Sequence, residues 1–523
     1  MTTTSTSSTS STTTNYSRIT GLSSGLDIDS MVGTMMTAER VPLDKLEQEK
    51  QNLEWQQEDY RSLNTTLFDF KADAFDARLE STFLARAASS SNESAATATA
   101  GASATDGTYD ITVTQLATGV SKGSQAELAI GKEDGNSLTL YEQFSEFSSS
   151  PRNLSSTDTI TVNINGEDLT FDLDVDNLST VASKVNEADL GVTASYDSAL
   201  NRFFLNTTST GSDSKIIITN DSANLFSNDD IDVSIDSILK LNINENDSTN
   251  IGHDASIDFG DAIGLVSSSN SITVNGITLN LKEENASSTI TVTRDIDAII
   301  DSVTEFVDAY NKTLSTLYDK VQEERDSDYK PLTDAQKDEM SDTEIEKWEE
   351  KAHSGLLRKD SMLKSIINNY RSAVTSVVKG IDGEYDSLSA IGIASEAYDN
   401  SGQLVIDEDD LREALTADPD AVKRLFTTSS TTDNRDGIAV RVYEATVNGI
   451  SYLADKAGSD SSTSTVDDSY IGTRLTKVND EIEDWETKLD DKEDQYYAKF
   501  TTMESIIYKM TVQSSYLTSM LSS

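Results

Sequence analysis

The sequence predicts an α+β multidomain protein. Its N- and C-terminal segments form a long helical, coiled-coil stalk, and mainly antiparallel β head domains are inserted between them. Three observations support this prediction. Apolar residues recur every seven positions near both ends of the chain, and the period changes to two in the middle. A chain of 523 residues is also too long for a single hydrophobic core.

The clearest seven-residue repeat occupies residues 470–523. Its main row is apolar at every position: Leu475, Ile482, Leu489, Tyr496, Met503, Met510 and Leu517. A companion row begins apolar at Ile471, Val478 and Trp485, and weakens at Lys492 and Lys499. Two such rows predict a coiled-coil seam. The alternative is an amphipathic helix packed on an ordinary core.

The N-terminal part carries a matching repeat, which predicts a long helix over residues 42–87. Pro42 either begins this helix in its first turn or kinks a helix that is already running. Two narrow stripes are most simply buried against each other or against a neighbouring copy. The predicted assembly interface therefore consists of Leu46, Leu53, Tyr60, Leu67, Leu475, Ile482, Trp485, Leu489, Tyr496, Met503, Met510 and Leu517.

The middle of the chain has the alternation of β-strands. Asn-Gly lies between alternating runs in residues 159–171 and 271–279, which predicts two hairpins. Residues 88–105 have the Ser/Ala/Thr-rich composition of a linker. Further strands are predicted at 107–117, 191–196, 202–206 and 215–219, and a short helix at 178–185.

Helical spacing then returns, after which the chain alternates between helices and loops. An acidic, polar interruption covers residues 322–350, and a hairpin is expected between 391 and 406. Asp407 and Asp418-Pro419 are helix-start signals. Helices are predicted at 296–317, 356–378, 407–417, 418–426 and 438–453.

These patterns predict five parts. A disordered Ser/Thr-rich tail and N-terminal leg segment take residues 1–41, and a C-terminal coiled-coil leg segment takes 470–523. The helical stalk domain combines 42–87 and 296–469. The inner β head domain combines 88–130 and 261–295, and the outer variable head domain is 131–260.

Composition excludes several classes of function. There are 41 basic and 91 acidic residues, so the formal charge of −50 repels nucleic acid and anionic membranes. The chain has no cysteine, so it has neither disulfides nor thiolate metal sites. No apolar run is long enough to predict membrane insertion. Residues 2–14 are all Ser or Thr, and we expect this tract to be disordered.

Catalytic chemistry is not indicated. The two histidines, His253 and His353, lie in polar segments a hundred residues apart, and we expect both to be solvated. No Ser/His/Asp site, P-loop or dinucleotide-binding fingerprint can be assembled. We therefore expect neither an enzyme nor a cofactor or metal site.

Three separated blocks resemble the FliD family of flagellar filament cap proteins, also called flagellar hook-associated protein 2. The first is Gly-Leu-Ser-Ser-Gly-Leu-Asp at residues 21–27, with Glu-Arg-Val-Pro-Leu at 39–43. The second lies between Tyr385 and Phe426 and includes Ile-Gly-Ile at 391–393 and Asp418-Pro419. The third is Phe-Thr-Thr-Met-Glu at 500–504, with Gln-Ser-Ser-Tyr-Leu at 513–517.

The resemblance implies a non-enzymatic protein that forms a homo-oligomeric ring at the filament tip, outside the cell. There it would promote the insertion of exported flagellin and prevent its leakage. Implied partners are flagellin, the filament tip and other hook-associated proteins, the flagellar type III export apparatus and a cytoplasmic export chaperone. The head of such a protein can contribute to adhesion. The alternatives are a flagellin-like or hook-filament junction protein, which would polymerise into long filaments, and an extracellular adhesin, whose isolated head would bind.

Overall fold

The structure is a computed structural model that describes residues 24–128, 138–228, 236–244, 247–381, 383–395, 402–430, 435–459 and 467–522. The chain divides into two compact units. The stalk unit consists of Met1–Thr82 and Ile300–Ser523, and the head unit is Phe83–Ile299. The Ser/Thr tract at residues 2–14 lies outside the described residues.

The described helices are α1 (Ile28–Ala77), α2 (Leu140–Gln143), α3 (Leu178–Glu187), α4 (Ile296–Gln322), α5 (Asp334–Lys337), α6 (Asp342–His353), α7 (Ser361–Thr375), α8 (Glu408–Ala417), α9 (Pro419–Thr427), α10 (Ile438–Ala457) and α11 (Tyr470–Leu521).

The described strands are β1 (Arg86–Ser90), β2 (Ala96–Ala100), β3 (Gly107–Gln115), β4 (Ser121–Gly123), β5 (Thr159–Ile164), β6 (Glu167–Asp172), β7 (Val192–Asp197), β8 (Arg202–Thr207), β9 (Ile218–Thr219), β10 (Ala255–Phe259), β11 (Ala262–Ser267), β12 (Ser271–Val274), β13 (Ile277–Leu281), β14 (Ala286–Arg294), β15 (Ile393–Ser395) and β16 (Leu404–Ile406).

The first helix of the stalk unit begins earlier than the heptad pattern predicts. Asp27 caps α1, since its side chain accepts a hydrogen bond from the backbone N–H of Ser30 at 3.0 Å. Pro42 lies inside α1 and does not begin it, which decides between the two readings of that proline. At the other end α1 stops at Ala77, ten residues short of the prediction, because Ala87 pairs with Thr293 in a sheet.

The core of the stalk unit is aromatic. Phe70 of α1 lies 6.2 Å from Phe306 of α4 and 6.0 Å from Tyr370 of α7, ring centre to ring centre. Gly449 of α10 lets Leu67 of α1 approach closely, since a Cβ on this glycine would lie 2.9 Å from a Leu67 methyl carbon. The C-terminal half of α1 is therefore packed inside a helical body built with α4, α7 and α10.

The two predicted helix starts after the β15–β16 hairpin are confirmed. Asp407 accepts from the backbone N–H groups of Asp409 and Asp410, which begins α8. Asp418 accepts from the N–H of Ala421, with Pro419 in the first turn of α9. In both cases a carboxylate satisfies donors that the helix itself leaves without partners.

An eight-stranded antiparallel sheet forms one part of the head unit. Its strand order is β11-β10-β3-β14-β1-β2-β13-β12. Its buried face includes Ile111, Val113, Ile257, Leu279 and Ile290. The predicted Asn-Gly hairpin is present as β12 and β13, and Asn275 and Gly276 both have positive φ, as the two-residue turn requires.

A second core of the head unit is built from two three-stranded sheets, β4-β8-β7 and β6-β5-β9, with α3. Phe171 and Phe203 both pack near Phe226, at 6.1 and 6.0 Å between ring centres. The other predicted hairpin, β5–β6, turns at Asn165-Gly166 as expected. This outer core extends from Val120 to Ile243.

The prediction that residues 88–105 form a linker is wrong. These residues contain most of β1 and all of β2, which lie inside the eight-stranded sheet. β1 pairs with β14 on one side and β2 on the other. The small side chains of β1 and β2 produce no alternation of large apolar residues in the sequence. These strands are held instead by hydrogen bonds to the neighbouring strands and by burial of small residues such as Ala96.

Two other boundaries differ from the sequence pattern. The outer variable head domain was predicted at residues 131–260. β10 falls inside this range but belongs to the eight-stranded sheet, whereas β4 lies before residue 131 but pairs with β8 of the outer core. The acidic interruption at 322–350 contains α5 and most of α6. Inside this segment Trp348 Nε1 donates to the Lys330 carbonyl at 2.8 Å. The segment is anchored to α1 by Gln48, whose Nε2 donates to the Pro331 carbonyl at 2.9 Å.

Candidate assembly interface

The N-terminal half of α1 pairs with α11 in an antiparallel manner. Near the start of α11, Arg474 Nη2 donates to Glu49 Oε1 at 2.6 Å. Further along, the Tyr497 hydroxyl donates to Asp29 Oδ1 at 3.0 Å. Residue numbers rise along α11 as they fall along α1. The two chain ends therefore meet in one helical hairpin, as the matching seams predict.

Glu39 forms a polar contact along the flank of this hairpin. It accepts hydrogen bonds from the Tyr496 hydroxyl at 2.8 Å and from Lys492 Nζ at 3.4 Å. These contacts hold the pKa of Glu39 below its usual value and raise the pKa of Tyr496. Both side chains remain partly exposed to solvent, so the contact contributes little free energy.

The α11 residues of the predicted interface are either at least partly covered by the rest of the chain or largely exposed. Leu489 is buried, with 7% of its surface exposed. Leu475, Ile482, Trp485, Tyr496 and Met503 are half-buried. By contrast, Met510 and Leu517 are 64% and 58% exposed. The same apolar row is thus partly covered over its first five positions and uncovered over its last two.

The α1 residues of the predicted interface also lie in two different environments, one beside α11 and one inside the helical body. Leu46 and Leu53 are half-buried and flank Glu49, in the part of α1 that pairs with α11. Tyr60 and Leu67 are buried in the helical body, where the Tyr60 hydroxyl donates to Asp360 Oδ2 at 3.0 Å. The row that looks continuous in the sequence passes from a two-helix coil into an ordinary core.

The pairing reaches Glu504 at the far end of α11. The backbone N–H of Ser24 donates to Glu504 Oε2 at 3.3 Å, and the Ser24 hydroxyl donates to Oε1. Glu504 is buried, with 8% of its surface exposed. The heptad pattern did not single out this contact, although both residues belong to blocks that carry the family resemblance.

Beyond Glu504, α11 continues through residues 505–521, more than four α-helical turns, and its side chains are exposed apart from the half-buried Ile507. Ile506, Met510, Leu517 and Leu521 share one face, because they are spaced by four, seven and four residues. The large exposed apolar residues here are Ile506, Tyr508, Met510, Val512, Tyr516, Leu517, Met520 and Leu521. We name residues 505–521 the apolar tip. A contiguous exposed apolar surface of this kind marks an interaction site.

The expectation that His353 is solvated is wrong. Its ring stacks on Trp55 at 5.3 Å and 12°, and its Nε2 lies 3.3 Å from Asp59 Oδ2. Lys320 Nζ donates to the other oxygen of Asp59 at 2.7 Å. These contacts join α1, α4 and α6. Sequence spacing could not reveal them, since the residues lie on three separate segments.

Metal and membrane sites were searched over the parts of the chain that the structure describes. No group of three His, Asp or Glu side chains there could hold a metal ion. No described helix is both long enough and apolar enough to cross a bilayer.

Two family models match the chain: Flagellar hook-associated protein 2 N-terminus over residues 24–119, and Flagellar hook-associated protein 2 C-terminus over residues 252–512. A Flagellar hook-associated protein 2 from Halalkalibacterium halodurans is 33% identical, with 95% of this chain and 98% of that protein covered. The chain belongs to the flagellar hook-associated protein 2 family. Most of the outer core of the head lies between the two matched regions.

Other members of the hook-associated protein 2 family are more distant. The Escherichia coli K12 protein is 23% identical, with 95% of this chain and 96% of that protein covered. A solved structure of the flagellar cap protein FliD D1-D2-D3 domains from Escherichia coli is 20% identical, with a TM-score of 0.49, and covers 80% of this chain and 99% of that one. Membership of the family confirms the predicted function at that level: a flagellar filament cap, not an enzyme.

Proposed function

We propose that this protein caps the flagellar filament as a homo-oligomeric ring at the tip, with the α1–α11 hairpin acting as a leg that contacts exported flagellin. The proposal assigns the assembly interface to the predicted residues of α11 and to Leu46 and Leu53 of α1. The observation that carries it is the apolar tip. An uncovered apolar helix end in a chain of net charge −50 needs a protein surface to cover it.

The chemistry of the apolar tip fits a guide for polymerisation. Burying one Leu, Met or Ile side chain contributes about 1.5 to 3 kcal/mol, and this contribution is not directional. A few such contacts with an incoming subunit hold it while leaving it able to rearrange. No covalent step is needed for such guidance.

The remaining partners follow from family membership and from the same surface. We assign export to the flagellar type III apparatus and the working site to the outside of the cell, at the filament tip. Before assembly the apolar tip would promote aggregation, so a cytoplasmic export chaperone that covers it is expected. Flagellin and hook-associated proteins then replace the chaperone.

The alternatives predicted from the sequence are less well supported. A flagellin-like or junction protein would share terminal helices, but the similar proteins reported above are named hook-associated protein 2. Adhesion by the head stays a prediction.

The test replaces two residues of the apolar tip with charges. Met510→Glu with Leu517→Glu should leave the stalk unit folded, because both side chains are largely exposed. The double variant should fail to support filament growth, and flagellin should leak into the medium. Growth is measured by filament length and leakage by free flagellin in the supernatant.

The matched control places the same two charges one residue further along the helix. Thr511 and Thr518 are exposed and lie outside the face that carries Met510 and Leu517. The control, Thr511→Glu with Thr518→Glu, should therefore grow filaments normally. Equal growth of the two variants would show that the apolar tip is not the contact surface.

A further inference from the structure

Apolar contact alone does not define where α11 lies along α1. Leu475, Ile482 and Leu489 follow one another at seven-residue spacing. If α11 slid along α1 by one heptad, about 10 Å at 1.5 Å per residue, each of these side chains would move to the place of the next apolar one in the row. The apolar contact with α1 would then be much the same as before. Other contacts must select the register.

The first such contact is made by Asp467, just before α11. Its Oδ2 accepts from Gln57 Nε2 at 2.7 Å and from Arg61 Nη2 at 3.0 Å, both on α1. Its Oδ1 accepts from the backbone N–H of Ser469, the N-cap of α11, at 3.0 Å. Gln57 Nε2 and Arg61 Nε also donate to the Ala457 carbonyl at the end of α10, at 3.0 and 2.9 Å. We name this group the Asp467 clamp.

The clamp has little room for movement. A Cβ on Gly472, in the first turn of α11, would overlap the Asp467 carboxyl group. Gly458, which follows α10, has a φ of +76° and a Cβ there would lie 3.0 Å from Asp467 Oδ1. Both glycines therefore allow the helix ends to close around one carboxylate. A shift of α11 by one heptad would separate Asp467 from Gln57 and Arg61.

The second contact is the pair of Ser24 with the buried Glu504, at the other end of the seam. In a shifted register the Glu504 carboxylate would lose both donors of Ser24. The pair formed by Glu49 and Arg474 is weaker evidence, because 41% and 38% of those side chains are exposed and surface ion pairs contribute little.

We propose that the Asp467 clamp and the Ser24–Glu504 pair set the register of α11 on α1, and so set how far the apolar tip extends past Ser24. The apolar row stabilises the coil, and the two carboxylates select its position. A buried polar group inside an apolar seam can select one register at a cost in stability. The proposal concerns geometry within one chain and does not depend on what contacts the tip.

The test measures register directly in the full chain. The protein has no cysteine, so Thr34→Cys and Lys477→Cys, both at exposed positions, introduce two spin labels. Their separation is measured by double electron–electron resonance, with excess unlabelled protein to suppress distances between copies. In the variant Asp467→Asn with Glu504→Leu, we expect a second distance population, displaced by about 10 Å from the first.

The matched control is Asp490→Asn with Glu483→Leu, which makes the same two changes at exposed positions of α11. It should keep the single distance of the parent protein. An unchanged single distance in the Asp467/Glu504 variant, with its helical circular dichroism intact, would overturn the proposal. If that variant loses helix, Asp467→Asn with Glu504→Gln preserves side-chain volume and is judged by the same distances.

Discussion

Asp59 offers the sharpest test of how the stalk unit is held together. This α1 side chain is 7% exposed and lies 2.7 Å from Lys320 Nζ and 3.3 Å from His353 Nε2. Asp59→Asn keeps its size and removes its charge. Lys320 is then left partly buried with only Glu323, at 3.6 Å, as a counter-charge, so we expect the stalk unit to unfold more easily.

The magnitude follows from the burial of the two partners. Removing one member of a fully buried ion pair costs about 3 to 5 kcal/mol. The Lys320 side chain is 31% exposed, so water screens part of that penalty. We therefore expect Asp59→Asn to lower the free energy of unfolding by about 1 to 3 kcal/mol near neutral pH.

The loss should depend on pH in a defined way. Burial acts to raise the pKa of Asp59, but contacts with His353 and Lys320 outweigh it and hold the pKa below its usual value. Burial acts to lower the pKa of Lys320, but Asp59 outweighs it and raises that pKa. The carboxylate therefore stabilises the fold above about pH 3.9 and the ammonium below about pH 10.4, the ordinary values in the unfolded chain.

The effect of Asp59→Asn should be largest between these limits. It should shrink as acid protonates Asp59 in the folded parent protein, and again as base deprotonates Lys320 there.

The assay follows Trp55, which stacks on the His353 ring beside Asp59. Replacing the other two tryptophans by Phe leaves one fluorescent probe, and urea unfolding at pH 7 and pH 3 gives the two free energies. The control is Asp59→Leu with Lys320→Met, which removes both charges and should be more stable than Asp59→Asn. Equal stabilities of Asp59→Asn and the parent protein at pH 7 would refute the reasoning.

Three further outcomes are expected. Replacing residues 120–251 by a short linker from Gly119 to Gly252 should preserve the eight-stranded sheet, because hydrogen bonds between Thr118 and His253 already bring these ends together; loss of cooperative melting of the remaining β-structure, followed by circular dichroism, would contradict this. Glu at both Ile482 and Leu489 should open the coil, each lost burial removing up to about 1.5 to 3 kcal/mol, and should stop filament growth while the head still melts normally. Because the formal charge is −50, rising salt should favour assemblies in light scattering, and assemblies that dissociate in salt would mean that ion pairs hold them.

Much of the local structure could be predicted because its cause is local. The hairpin turn at Asn275-Gly276 and the helix starts at Asp407 and Asp418 depend on side chains that bond their own neighbouring backbone. These signals are complete within a few residues. The two long terminal helices could also be predicted, since a seven-residue apolar repeat indicates both that the segment is helical and which of its faces is apolar.

β1 and β2 show where local signals fail. Their Ser, Ala and Thr side chains resemble a linker, and their strand conformation comes from partners distant in sequence, such as Thr293 opposite Ala87. The prediction that His353 is solvated was wrong for the same reason, because its contacts are with Trp55 and Asp59 on another helix. Neither the strands nor the His353 contacts could be predicted from a short stretch of sequence, because both depend on residues that are distant along the chain.

The sequence by itself determined the two terminal helices, their apolar rows and the inserted β head, because hydrophobic periodicity and turn chemistry act over a few residues. Only the tertiary structure decided that Tyr60 and Leu67 face a helical body while Met510 and Leu517 remain exposed. One apolar row looks the same whether a core, a second helix or solvent lies opposite it. What covers each position depends on where α11 lies along α1, and the contacts between these two helices join residues hundreds of positions apart.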